Sequence, residues 1–116
     1  MNQAQHFIQA GLLGEALEHG PVAVFVADEH MRYIAVNVYA CELLGYTRDE
    51  LLQLRVTDVS GSGAEQEFAT FLTEGHRTGT IELRRKDGST FDFKYVASET
   101  TIAGMSLFVS VGRPTA

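Results

Sequence analysis

A chain of 116 residues, 45% of them hydrophobic, is long enough for one domain with one core and too short for a second independent core. A net charge of −6 opposes a phosphate backbone or an anionic membrane surface, which argues against direct nucleic-acid binding, and no apolar stretch approaches the roughly 20 residues that cross a bilayer. The lone Cys41 excludes an internal disulfide and a cysteine-rich zinc site, and the amino end lacks the basic and apolar regions of a secretory leader, so the expected location is cytoplasmic.

Leu12, Leu13, Ala16 and Leu17 stand at helical spacing between Ala10 and His19, with Phe7 and Ile8 just ahead, and predict an amphipathic helix that Gly20-Pro21 stops. Residues 22–27 form a β-branched and aromatic run of strand length, and Tyr33 to Val36 completes a hairpin with it across a polar connection at Asp28 to Met31. Asn37 is suited to cap a helix from Val38 to Leu44, which Gly45 closes. Thr47 and Glu50 have the spacing of a capping box for a second short helix ending near Gln53, and one further helical turn is expected within Arg55 to Val59.

Ser60-Gly61-Ser62-Gly63 has the composition of a flexible connector, followed by a predicted helix over Ala64 to Glu74 that buries Phe68, Phe71 and Leu72. The period then changes from helical to alternating. Strands are predicted over Thr80 to Arg84, Phe91 to Ser98 and Met105 to Val111, with a turn at Lys86 to Ser89. In the middle strand Phe91, Phe93, Tyr95 and Ala97 share one face, opposite Asp92, Lys94, Val96 and Ser98.

Two local sequences carry a family resemblance. Asn37 through Leu52, with Leu43-Leu44-Gly45-Tyr46-Thr47 and Glu50-Leu51-Leu52, resembles the asparagine-capped helix and following turn of PAS domains. Leu83-Arg84-Arg85-Lys86-Asp87-Gly88-Ser89, followed by Phe91, is similar to the hairpin that opens the carboxyl half of that family. The resemblance spans about Glu18 to Arg113 and implies an α+β fold: a five-stranded antiparallel sheet in order 2-1-5-4-3, with short helices on one face enclosing a pocket. Residues 1–19 would be a flanking helix, 20–113 the domain, and 114–116 the start of a linker or tail. Two positions depart from the family. Met31 stands where a hairpin glycine is common, so the turn there is expected to avoid a left-handed backbone, and Arg113-Pro114-Thr115 replaces the frequent Asp-Ile-Thr signature that leads to an effector.

The expected function is that of a non-catalytic sensory module that binds a small ligand, dimerises, or both, to regulate an effector in the same or another chain. Tyr39, Leu44, Asp58, Phe68, Phe71, Leu72, Phe93 and Tyr95 are the candidate pocket lining, with Thr57 a further polar candidate. Leu12, Leu13, Ala16 and Leu17, with Val96 and Phe108 on the outer side of the sheet, are the candidate homodimer contact. Cys41 reads first as a small apolar side chain, and no Asn-Cys-Arg-Phe-Leu-like motif supports a flavin adduct. His76 reads as solvent-facing at a helix carboxyl end, with haem ligation as the alternative, and no metal site is expected. Arg84-Arg85-Lys86 reads as a solvated hairpin end rather than an anion site.

Two other functions compete. One is a ligand-free homodimerisation module, and the other a small isomerase or hydrolase needing Asp58 or His76 as a base deep in the pocket. Nucleophile elbows, phosphate-cradling loops and metal-hydrolase pairs are absent from the sequence.

Overall fold

Asn37 is the point at which the chain turns from strand to helix, and it meets the requirements of both. In the computed structural model, which describes residues 2–60 and 75–115, the order is α1 (Gln3–Glu18), β1 (Ala23–Ala27), β2 (Tyr33–Val36), α2 (Val38–Leu44), α3 (Arg48–Leu51), α4 (Val56–Val59), β3 (His76–Arg84), β4 (Thr90–Ile102) and β5 (Met105–Pro114). The strands form one antiparallel sheet in the order β2-β1-β5-β4-β3. The helix expected over Ala64 to Glu74 lies outside the described residues, and Phe68, Phe71 and Leu72 with it.

Asn37 is 5% exposed. Its side-chain oxygen accepts from the backbone of Val24 and of Ala40, both at 3.0 Å, and its amide nitrogen donates to the carbonyls of Leu17 at 2.7 Å and Val22 at 2.8 Å. One amide therefore caps α2, steadies the entry to β1 and holds the last turn of α1. Gly45 closes α2 at φ 80, and Thr47 and Glu50 form the expected capping box at α3.

Register settles the two faces. Phe25, Phe93, Tyr95 and Ala97 turn inward, where Ala40, Leu44, Leu51 and Val59 of the short helices join them in one core. The two-residue turn Ala103-Gly104 pairs Ile102 with Met105, which sets Phe108 opposite Glu99 and Ala27. Phe108 is consequently buried in the core and does not lie on the outer face expected for it. Val109 and Val111 are the β5 residues that face outward, beside Val24, Val26 and Val96. The chain-order reading assigned β5 the wrong parity because a one-residue change of register exchanges the faces of a strand.

Three further expectations change. The strands are longer than the alternation suggested: β3 begins at His76, β4 runs on to Ile102 and β5 to Pro114. The first helix begins at Gln3, and none of its residues is buried; its apolar stripe holds over the second half, while Gln5, His6 and Gln9 interrupt it earlier. Met31 adopts the left-handed backbone it was expected to avoid, at φ 66.

Asp28 compensates for the strain at Met31. Its carboxylate accepts from the backbone of His30 and Arg32 and from the Arg32 side chain, while its carbonyl accepts from Met31. Partial burial pushes the Asp28 carboxyl upward, but these donors outweigh it and hold the group below the ordinary 3.8. Its stabilisation is complete above that ordinary value and is lost as pH falls through the lowered one. Asp28→Asn should therefore lower Tm at neutral pH, and the two proteins should converge in acid well below 3.8. Asn37→Ala leaves four backbone groups without their partner and should cost at least about 3 kcal/mol in denaturant unfolding. A loss under about 1 kcal/mol would mean that water replaces the amide.

Candidate functional site

The concave side of the sheet is aromatic at its centre. Phe25 stands 5.4 Å from Tyr33 and 5.9 Å from Phe93, the second pair nearly edge to face, and Phe91 meets Phe93 edge to face at 6.4 Å. Among the candidate lining residues, Leu44, Phe93 and Tyr95 are buried in this cluster, and Tyr39 packs against it half-buried. The Tyr95 ring lies beside Gly79.

Phe25, Tyr33, Val36, Leu51 and Leu83 belong to the same cluster and were not among the predicted lining. The alternation Ala23, Phe25, Ala27 was a signal for the first of these, masked by the valines between them, which made β1 read as a continuous apolar run.

Asp58 does not enter this core. It is exposed, and its carboxylate accepts from the Arg55 backbone at 2.8 Å, capping α4. It still acts on the core through its field. Burial first, and then the Asp58 charge, push the Tyr33 phenol far above its usual value, so Tyr33 keeps its proton throughout the physiological range.

Arg84, Arg85 and Lys86 are not a free cationic patch. Arg84 donates to the Asp58 carbonyl at 3.2 Å, Arg85 to the Leu43 carbonyl at 3.1 Å, and Lys86 to the Glu50 carboxylate at 2.6 Å. Three consecutive residues, the last of β3 and the first two of the β3–β4 turn, thus tie down α4, α2 and α3 in that order. Arg85 also stacks over the Phe91 ring at 4.3 Å. An open groove of about 410 Å³ runs between this turn and the end of α2, lined by Glu42, Leu43, Leu44, Gly45, Arg85, Lys86 and Asp87, so that Leu44 alone of the candidate lining borders it. None of the core aromatics lines it, and its cations already have partners.

His76 and Asp58 stand apart from the core face, whereas Cys41 packs against its edge. His76 is an exposed residue of β3 opposite Ser98, on the outer side of the sheet. That position does not fit an axial ligand for a haem held between sheet and helices. Cys41 is half-buried; burial pushes its thiol up while the nearby Arg48 charge pulls the other way, and the net result is a raised value that disfavours the thiolate. With Asp58 and His76 both exposed, neither is placed as the deep base that an isomerase or hydrolase would need. Among the described residues, no three His, Cys, Asp or Glu side chains come together as a metal site, and no helix is long and apolar enough to cross a membrane.

Comparison with known proteins agrees with this geometry. A family model described as a PAS domain matches residues 21–111. A PAS domain from a two-component sensor histidine kinase superposes with a TM-score of 0.86 at 14% identity, over 95% of this chain and 99% of that one. The PAS domain of an HTR-like protein from Haloarcula marismortui gives 0.83 at 20% identity, over 97% of each. A domain of a sensory box sensor histidine kinase/response regulator from Geobacter sulfurreducens gives 0.77 at 20% identity, over 93% of this chain and 96% of that one. No curated protein matches the chain.

Gly112 tests how tightly the aromatic centre is built. A side chain there would meet the Lys94 carbonyl and come within 2.7 Å of the Phe93 ring. Gly112→Ala should therefore displace Phe93 and destabilise the fold by about 1–3 kcal/mol, with a changed near-ultraviolet aromatic signal. An unaltered spectrum and stability would show that the core is looser than these contacts require.

Proposed function

The chain belongs to the PAS domain family, and from that premise we propose that it is a sensory module whose occupancy and self-association regulate an effector in the same or another chain. The reading assigns it no catalysis of its own and a cytoplasmic location. The effector would be of the kind these modules serve in signalling: a histidine kinase, a cyclic-dinucleotide enzyme or a transcription regulator. Sensor kinases among its structural relatives support that choice.

The observation that carries the self-association is α1. Phe7, Ile8, Leu12, Leu13 and Leu17 are between 49% and 70% exposed, and no residue of the helix is buried. A helix of this length is marginal in water without a surface to cover its apolar side. The outer face of the sheet offers one. Met105, Val109 and Val111 lie along the outer side of β5, with Val24 and Val26 on one side and Val96, itself 59% exposed, on the other. That row is roughly 20 Å long, enough to receive the apolar second half of α1, which spans roughly 12 Å. A second copy of α1 laid on it would bury both apolar surfaces in a two-fold dimer, in which Leu12, Leu13, Ala16, Leu17 and Val96 keep the roles expected of them and Val109 and Val111 replace Phe108.

A ligand would occupy the concave side, where Leu44, Phe93 and Tyr95 sit among apolar neighbours and Tyr33 supplies a neutral hydroxyl. A colourless metabolite suits that lining better than haem, given where His76 lies. The competing reading is an interaction module that only dimerises.

Native mass spectrometry of the purified chain separates the two: added mass on the folded protein is expected for a sensor, and a bare dimer would leave self-association as the whole function. Sedimentation equilibrium should show a wild-type dimer and a monomer for Leu13→Glu with Leu17→Glu, since each charge would have to be buried in an apolar contact. A monomeric wild type, or a dimer indifferent to both charges, would remove the self-association.

A further inference from the structure

The last turn of α1 is tied to the domain at two points. Asn37 donates to the Leu17 carbonyl at 2.7 Å, and Glu18 pairs with Arg48, the first residue of α3. Arg48 also donates through Nε to the carbonyl of Val36 at the end of β2, 3.2 Å away. One guanidinium therefore bridges a core strand and the flanking helix, which its rigid fork of donors allows.

The helix that carries Arg48 is held on both flanks and rooted in the core. Leu51 of α3 is fully buried. Glu50 pairs with Lys86 of the β3–β4 turn at 2.6 Å, and Thr47 caps the first turn. Any repacking around Leu51 must tilt this four-residue helix, because it is too short to absorb the change within itself. The tilt moves Arg48 against Glu18.

We propose that α3 is a relay: a displacement of Leu51 in the core passes through Arg48 to Glu18 and sets how firmly the last turn of α1 is held. The sensory reading gives the device its purpose, but the coupling is a property of the chain without ligand. The Arg48–Glu18 pair suits the task. Both side chains are more than a third exposed, so the pair is weak, responsive to salt, and able to open on a small displacement. Asn37 is buried and keeps α1 attached when the pair opens. The result is a hinge with one fixed pin and one releasable latch.

Amide hydrogen exchange at His19 and Gly20 reads the latch directly, since these amides donate to Glu15 and Leu17 in the last turn of α1. Glu18→Gln opens the latch at one end, and Thr47→Ala loosens α3 at the other without touching the core. Each should raise exchange at the two amides by about 1.5- to 5-fold, the range an exposed ion pair supports. Combined, they should raise it no further than the larger single effect, because both act through one contact. Raising salt from about 0.1 to about 1 M should reproduce the rise in the wild type and add nothing in Glu18→Gln.

Effects that multiply in the double variant, or no rise in Thr47→Ala, would overturn the relay. So would equal rises at the β4 amides of Phe93 and Tyr95, which would mean loosening of the whole domain. None of these measurements needs a ligand or a dimer, so failure here leaves the native-mass result standing, and the reverse holds as well.

Discussion

One buried amide holds together four pieces of chain that would otherwise meet only through apolar contact. Asn37 joins the end of α1, the approach to β1, the first residues of β1 and the first turn of α2, using both acceptor directions and both donors of its side chain. No other side chain of this size could do so: aspartate has no donors, and serine cannot reach four partners. The position of α2 over the sheet follows from this knot. From α2 follows the placement of Leu44, and with it the ceiling of the aromatic core.

A second set of polar contacts closes the opposite side. The run Arg84, Arg85, Lys86 resembles a solvated charge cluster in the sequence, yet each cation ends on a different helix. Two of the acceptors are backbone carbonyls within or at the end of short helices, where the dipole already favours a positive charge. The domain thus fastens helices of four to seven residues, which have little stability of their own, by borrowing donors from a hairpin.

Much of this architecture was legible in the sequence because it rests on local rules. Asn37, Gly45, Thr47 with Glu50, and the Asp87-Gly88 turn each act within a few residues, and the strand order followed from the resemblance that those motifs carried. What escaped depended on contacts distant in the chain. The face of Phe108 is set by pairing with β4 and β1, the left-handed Met31 is tolerated because Asp28 and the Val56 amide bracket it, and Asp58 turns outward because Arg55 offers it a closer donor than the core does. Of the candidate pocket, the β4 aromatics were found by alternation alone, whereas Tyr33 and Leu51 needed the folded chain to show that a strand and a helix from separate segments meet there.

Among the described residues the β4–β5 hairpin runs beyond its neighbours: β3 begins opposite Ser98, and β1 ends opposite Phe108. Beyond Glu99, whose amide donates to the Gly75 carbonyl, the two strands pair with each other alone among the described residues, from Thr100 to Leu107, across a turn whose two residues, Ala103 and Gly104, are both left-handed. Such an overhang can change length over evolutionary time while the domain stays the same, provided that it changes symmetrically. Adding one residue to each strand moves the tip outward and leaves every pair below it intact. Adding one residue to a single strand would instead force either a bulge or a swap of the faces that Phe108 and Val109 now occupy. Sequence drift at this tip should therefore be generous in composition and strict in parity.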